Sequence, residues 1–359
     1  MSATAPPQAP EAAAPTLRGR PPGPHPPARG ARRSARGVGL AASSALLLAV
    51  LVLSIGFGAR QLSLSEVWHG LLDPGSPAYA VVHQMRLPRT LLGLLVGVAL
   101  GLAGGVMQAL TRNPLADPGL LGINAGASAA VVTSIWLFGI GSFDGYIWFA
   151  LAGAAIVTSL GYAIGGGRSA TPARLALAGA ALNATLFSYV SAAMLLDSAS
   201  LEAMRFWSVG SLASATPGTV VRVLPFVAVG VMLALALARP LNALALGEDS
   251  ARALGSRPTA VRAAAIVAVT LLCGAATAAC GPIVFVGLMV PHIVRTVTGP
   301  DLRWLLPYCA VLAPVLLLGA DVLGRVLGRP GEIQVGVVTS VLGGPVFLYF
   351  LRRGKAVRA

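Results

Sequence analysis

Nine long stretches without a single charged side chain run through this 359-residue sequence, at 37–59, 90–111, 118–143, 145–167, 175–196, 223–238, 263–294, 304–320 and 333–351. A helix needs about 20 apolar residues to cross the hydrocarbon core of a bilayer. Most of these runs suit one crossing, but 263–294 is too long. Gly281-Pro282 interrupts it, and both residues disfavour a continuing helix. Splitting it into a helix ending near Ala279 and a short one from about Ile283 to Val297 predicts about ten spans. The segment 198–219, with Trp207, Gly210, Ser211, Ser214 and Pro217, is too polar and broken to cross, and reads as an interfacial helix and loop. Composition agrees. Charged residues make up 11% of the chain and the mean hydropathy is +0.79, whereas a soluble domain carries about 25% charge. The expected fold class is therefore all-α, a polytopic membrane bundle.

The formal net charge of +14 invites a nucleic-acid reading, but the placement of the charges argues against one. The basic residues sit in the tails and in short loops between apolar runs, as the positive-inside bias requires. With the N-terminal tail in the cytoplasm and ten alternating spans, 19 of the 26 Lys and Arg residues fall inside and 7 outside. Both termini are then expected in the cytoplasm, with the chain a multi-pass protein of the cell membrane. Residues 1–37, rich in Pro, Ala and Arg, read as a disordered basic tail. Arg32-Arg33 reads as a cytoplasmic anchor for the first span rather than a twin-arginine export signal, because many spans follow it. Residues 38–353 form the membrane domain, and 354–359 form a second basic tail.

The chemistry missing from the chain narrows its function. Cys273, Cys280 and Cys309 lie in or beside apolar runs without CxxC spacing, so they read as small buried side chains. His25, His69, His83 and His292 are scattered; His292, after Pro291, reads as a polar cap at the membrane interface. No catalytic motif such as HExxH or GxSxG occurs. Nearly all acids fall in loops or at helix ends. Asp321, one turn before Arg325, reads as an i, i+4 pair near the interface. A secondary transporter or channel would need more buried charge than this, and an intramembrane enzyme would need a nucleophile and base or metal ligands. The only lysine is Lys355, followed by Ala356. A P-loop requires GxxxxGK[ST], so any ATP-driven activity needs its nucleotide site on another chain. Gly93, Gly97, Gly101 and Gly105 recur every four residues on one face of the second span, where small residues let helix backbones approach; an intrachain partner helix is expected. Gly161 and Gly165 repeat the pattern in the fourth span.

Four ordered segments then match one pattern. Residues 86–126 read RLPRTLLGLLVGVALGLAGGVMQALTRNPLADPGLLGINAG, residues 240–255 read PLNALALGEDSARALG, residues 281–295 read GPIVFVGLMVPHIVR, and residues 332–347 read EIQVGVVTSVLGGPVF. Together they resemble the FecCD family of ABC importer permeases, over roughly residues 40–353. Two departures occur: Val284 precedes Phe285, and Gln334-Val335 stand where a proline usually precedes Gly-Val. The resemblance implies a bundle like that of the vitamin B12 permease. It also implies two copies, or this chain and a paralogue, on two ABC ATPase subunits, and an extracytoplasmic substrate-binding protein. The cargo it implies is a metal chelate, with ferric siderophore first and cobalamin or haem next. No cofactor is expected on this chain, ATP and Mg being bound by the partner ATPase.

The resemblance also suggests roles for particular residues. In the loop at 247–255, Glu248 and Asp249 suit a helix N-terminus, Gly255 suits the position just past its end, and Pro258 can begin the next helix. The family match makes Leu246, Gly247, Glu248, Asp249, Ser250, Ala251, Arg252, Leu254 and Gly255 the coupling helix that meets the ATPase. It likewise implies that Arg86, Arg89 and Arg325 present positive charge to acidic groups on the binding protein.

Overall fold

A computed structural model of the chain describes residues 29–58, 61–167 and 171–356. Among these residues the fold is helical throughout. Ten helices follow the ten expected spans in order: α1 (Arg29–Gly56), α3 (Leu87–Thr111), α4 (Ile123–Phe138), α5 (Phe143–Ile164), α6 (Pro172–Leu196), α8 (Pro217–Ala236), α11 (Pro258–Cys280), α12 (Val286–Thr298), α13 (Leu302–Leu327) and α14 (Val335–Ala356). Seven are long and apolar enough to cross a membrane; α4, α12 and α14 are shorter apolar helices. Four small α-helices, α2 (Leu64–Leu72), α7 (Ser198–Trp207), α9 (Ala238–Ala245) and α10 (Glu248–Ala253), complete the order with a π-helical turn over Val81–Arg86 and a 3-10 turn over Pro118–Leu121.

Local chemistry sets the boundaries. Thr171, Asp197, Thr216 and Asp301 each cap a helix by accepting a backbone N–H with the side chain, which satisfies donors a first turn leaves orphaned. Gly281, at φ +73°, ends α11 as expected. The chain resumes at Val286 rather than near Ile283, after Phe285 at φ +69°. A π-helical turn over Val81–Arg86 leads into α3, with the Leu87 N–H donating to the Val82 carbonyl. Pro88 supplies no N–H and its ring crowds the preceding turn, and a widened turn relieves both problems. At the start of the chain, α1 begins at Arg29, so the tail expected over 1–37 is helical from that residue. Residues 1–28 and 357–359 lie outside the described residues, and the basic segment at 354–356 continues α14.

The buried axis of the bundle is α3 beside α11. In their most apolar stretches 78% and 72% of residues are buried, against 17% for α6 and 6% for α1. Helices α13, α12 and α8 surround α3, while α5 and α4 back α11. The glycine stripe explains the close approach of α3 and α13. A Cβ on Gly97 would lie 2.5 Å from Pro314 Cα, one on Gly101 would lie 2.6 Å from Ala313 Cβ, and Gly93 and Gly105 face Leu318 and Leu306. All four partners are on α13 of the same chain, so the stripe packs intrachain. Gly161 and Gly165 face Leu182 and Leu175 of α6.

Candidate functional site

Helix α10 forms as its sequence leads one to expect. Gly247 enters it at φ +113°, and Glu248 and Asp249 occupy its positive end. Gly255 leaves it at φ +78°, with its N–H bonded to the Arg252 carbonyl and the Ser256 N–H to that of Ala251. Ala251 is buried. Leu246 and Leu254 are exposed at 69% and 67%, and Asp249, Ser250 and Arg252 also face out. An apolar and charged knob thus stands away from the bundle.

Glu248 turns the other way. Its carboxylate pairs with Arg262 of α11 and, at 3.3 Å, with Arg252. The Arg262 guanidinium first, then Arg252 and Arg112, hold its carboxyl below the usual carboxylate range. Arg112, in the left-handed conformation just past α3, donates to the Leu244 carbonyl at the end of α9. At the same end of the bundle Asp301 caps α13 and accepts from Asn242 of α9 at 2.7 Å.

Arg303, its backbone N–H and Asn242 together hold the Asp301 carboxyl down at about 2. A carboxyl depressed in the folded state contributes stability that is present above its ordinary value and lost as pH falls through the folded one. Asp301→Asn should therefore flatten the acid dependence of melting temperature between about pH 4 and pH 2. At neutral pH it should cost no more than about 1 kcal/mol, because asparagine still caps the helix and only the charge opposite the partly exposed Arg303 is lost. An unchanged acid limb in a thermal melt rejects this.

At the opposite end lies a buried charge cluster. Asp321, with no exposed side-chain surface, accepts from Arg89 at 2.8 Å and forms an ion pair with Arg325 at 3.1 Å. Arg89 also pairs with Glu332 at 2.6 Å. Arg325 reaches the carbonyls of Ser54 and Phe57 and the Ser54 hydroxyl, Arg86 reaches the carbonyls of Ile55 and Gly56, and Ser54 meets Thr90 at 2.8 Å. The cluster thus ties the C-terminal turn of α1 to α3, α13 and the loop before α14, and it saturates carbonyls that a helix end leaves free.

Two expectations change here. Asp321 and Arg325 do pair at i, i+4, but in the interior rather than at an interface, because the end of α1 and the start of α3 close over them. Arg86, Arg89 and Arg325, expected to present charge outward, are 5%, 9% and 2% exposed and are directed into the protein. They line a cavity of about 280 Å³ with Met85, Ala213 and Glu332. Nothing in the spacing marked Glu332 as the partner of Arg89, or Arg262 as that of Glu248. His292 lies within α12 and is half-buried, rather than at its end.

A second cavity of about 380 Å³ lies between α4, α5, α7 and the loop before α14. Tyr146, Trp207, Ser211, Ser214, Glu332 and Gln334 contribute to its walls. Cys273, Cys280 and Cys309 are buried and unpaired. Among the described residues no three of His, Cys, Asp or Glu come together as metal ligands.

Comparison with known proteins accounts for this combination. Residues 46–353 match the FecCD transport family. The ferric enterobactin transport system permease protein FepD of Escherichia coli is 46% identical over 311 residues, covering 86% of this chain and 93% of that one. The Fe(3+)-citrate import system permease protein YfmD of Bacillus subtilis is 38% identical, covering 86% and 92%. The hemin transport system permease protein HmuU of Yersinia pestis is 36% identical, covering 88% and 96%. A solved chain described as an inward-facing conformation of a metal-chelate type ABC transporter superposes with a TM-score of 0.78 at 27% identity, covering 88% of this chain and 99% of that one. The chain belongs to the FecCD transport family: it is a multi-pass permease subunit of an ABC import system in the bacterial cell membrane, and not itself an ATPase.

Proposed function

We propose that this permease carries a ferric siderophore inward, with haem or cobalamin the next candidates, driven by ATPase subunits that grip α10. The observation that carries the coupling reading is the six-residue α10, which exposes Leu246, Asp249, Arg252 and Leu254 around one buried alanine. Apolar anchors ringed by charge suit a groove on a partner. The end bearing α10 is then cytoplasmic, along with both termini, and the end bearing Asp321 faces out. There a binding protein's acidic side chain would meet Arg86, Arg89 and Arg325 within the 280 Å³ cavity rather than on an open surface. A second copy or a paralogue completes the transport pathway. The 46% identity to a ferric enterobactin permease supports a ferric chelate of that kind.

Uptake of radiolabelled iron by cells with and without the gene checks the cargo. Iron supplied as the enterobactin, citrate and hydroxamate chelates and as haem should separate, with loss of one or more on deletion. Unchanged uptake of all four counts against the proposal. Orientation is checked by maleimide labelling in intact cells: Glu202→Cys should react from outside and Asp249→Cys only after permeabilisation. Both positions are exposed, and the three native cysteines are buried. The opposite pattern inverts the topology.

A further inference from the structure

The outward-facing residues of α10 suit it to meet a partner, but a lever must also push on something. Its hold on the bundle is narrow. Ala251 is its one buried residue. Beside Arg112 and Arg262 lies a cavity of about 80 Å³, lined also by Leu110, Tyr162 and Leu244. A void has no atoms to transmit a displacement, so packing among the ends of α3, α9 and α11 is loosened here. Besides the packing of α10 on α9, two side chains link α10, and the α9 segment leading into it, to the buried helices. Arg262 of α11 binds Glu248 in the first turn of α10. Arg112, at the end of α3, donates to the Leu244 carbonyl at 2.5 Å. That carbonyl lies shortly before Gly247, whose φ of +113° few side chains tolerate. The two helices reached in this way, α11 and α3, are the most deeply buried in the bundle. Helix α3 runs 25 residues, about 37 Å, to Arg89 and the charge cluster at the far end.

We propose that Arg262 and Arg112 are positioning residues that pass the displacement of α10 to α11 and α3, and so to the opposite end of the protein. The inference rests on the reading of α10 as the ATPase-coupling helix. In that arrangement Glu248 belongs to the inner attachment of the lever, while Asp249 and Arg252 belong to its outer grip.

The test uses the permease in complex with its ATPase subunits in proteoliposomes. A cysteine replaces Met85, which is 64% exposed and lines the cavity at the far end. Its maleimide labelling rate is compared with ADP and with ATP plus vanadate. The rate should depend on nucleotide in the otherwise unaltered protein. Arg262→Glu and, independently, Arg112→Gln should shrink that dependence about tenfold, within the usual range of coupling between sites. Adding Glu248→Arg to Arg262→Glu should restore it, and Arg262→Lys should largely retain it; a merely structural loss would not follow charge in this way. A full nucleotide response in Arg262→Glu overturns the inference, as does the absence of any response before Arg262 is changed. If no ATPase copurifies with the unaltered chain, the coupling reading itself falls and this inference falls with it.

Discussion

Asp321→Asn should be among the most damaging single substitutions in this protein. The asparagine has nearly the same shape, so packing hardly changes and the effect reports charge. The carboxylate it replaces is wholly buried, accepts from Arg89 and is ion-paired with Arg325. Without it, three buried arginines face one remaining acid, Glu332. Removing one partner of a buried ion pair typically costs about 3–5 kcal/mol, because the surviving charge stays desolvated. Asp321 itself has no exposed side-chain surface, so water does not relieve the loss there. Glu332→Gln is the internal comparison. Its side chain is 32% exposed, solvent screens the pair, and the loss should be smaller. Thermal melts of the purified protein in one detergent decide the matter: Asp321→Asn melting with the wild type, or above Glu332→Gln, would sink the argument.

Gly97→Ala should be destabilising, while Gly319→Ala, on the helix that faces it, should be neutral or stabilising. The added Cβ is the same, and the space that receives it differs. At Gly97 it would lie 2.5 Å from the Cα and 2.7 Å from the nitrogen of Pro314, atoms that no rotamer change can move. Helices α3 and α13 must separate, and the cost spreads along the stripe of Gly93, Gly101 and Gly105. Overpacking typically costs about 1–3 kcal/mol, and a backbone-to-backbone clash belongs at the upper end. At Gly319 nothing lies within 4 Å of the new atom. There the alanine gains the roughly 0.5–1 kcal/mol that a mid-helix glycine forfeits. Equal melting temperatures for the two variants would show that the α3–α13 seam tolerates an added methyl group.

Much of the architecture was legible because membrane folding is governed by short-range rules. Charge-free length announces a span, Gly281 announces the break between α11 and α12, and Gly255 with Pro258 announces the end of α10 and the start of α11. Each of these signals is read from neighbours in sequence. The glycine stripe showed that a close partner existed, though only the fold could show that Pro314 and Ala313 supply it.

The charge cluster was legible only in part. The i, i+4 spacing of Asp321 and Arg325 was visible, but the pairing of Arg89 with acids 232 and 243 residues away has no local signature. Nor could spacing show which arginines would face outward. That depends on whether nearby helix ends offer carbonyls, as the end of α1 does for Arg86 and Arg325. Glu248 illustrates the same limit on the other face. Its position suited a helix N-terminus, but nothing local showed that the fold would turn it towards Arg262.

The loop before α14 places Glu332 in the walls of the 280 Å³ and 380 Å³ cavities alike, together with Ala213. A shared wall makes the two chambers dependent on each other. If the loop swings one way, room gained on one side is room lost on the other, and the Arg89 contact sets where it rests. A displacement of that loop would reshape both chambers together, as a door hung between two rooms cannot open into both at once.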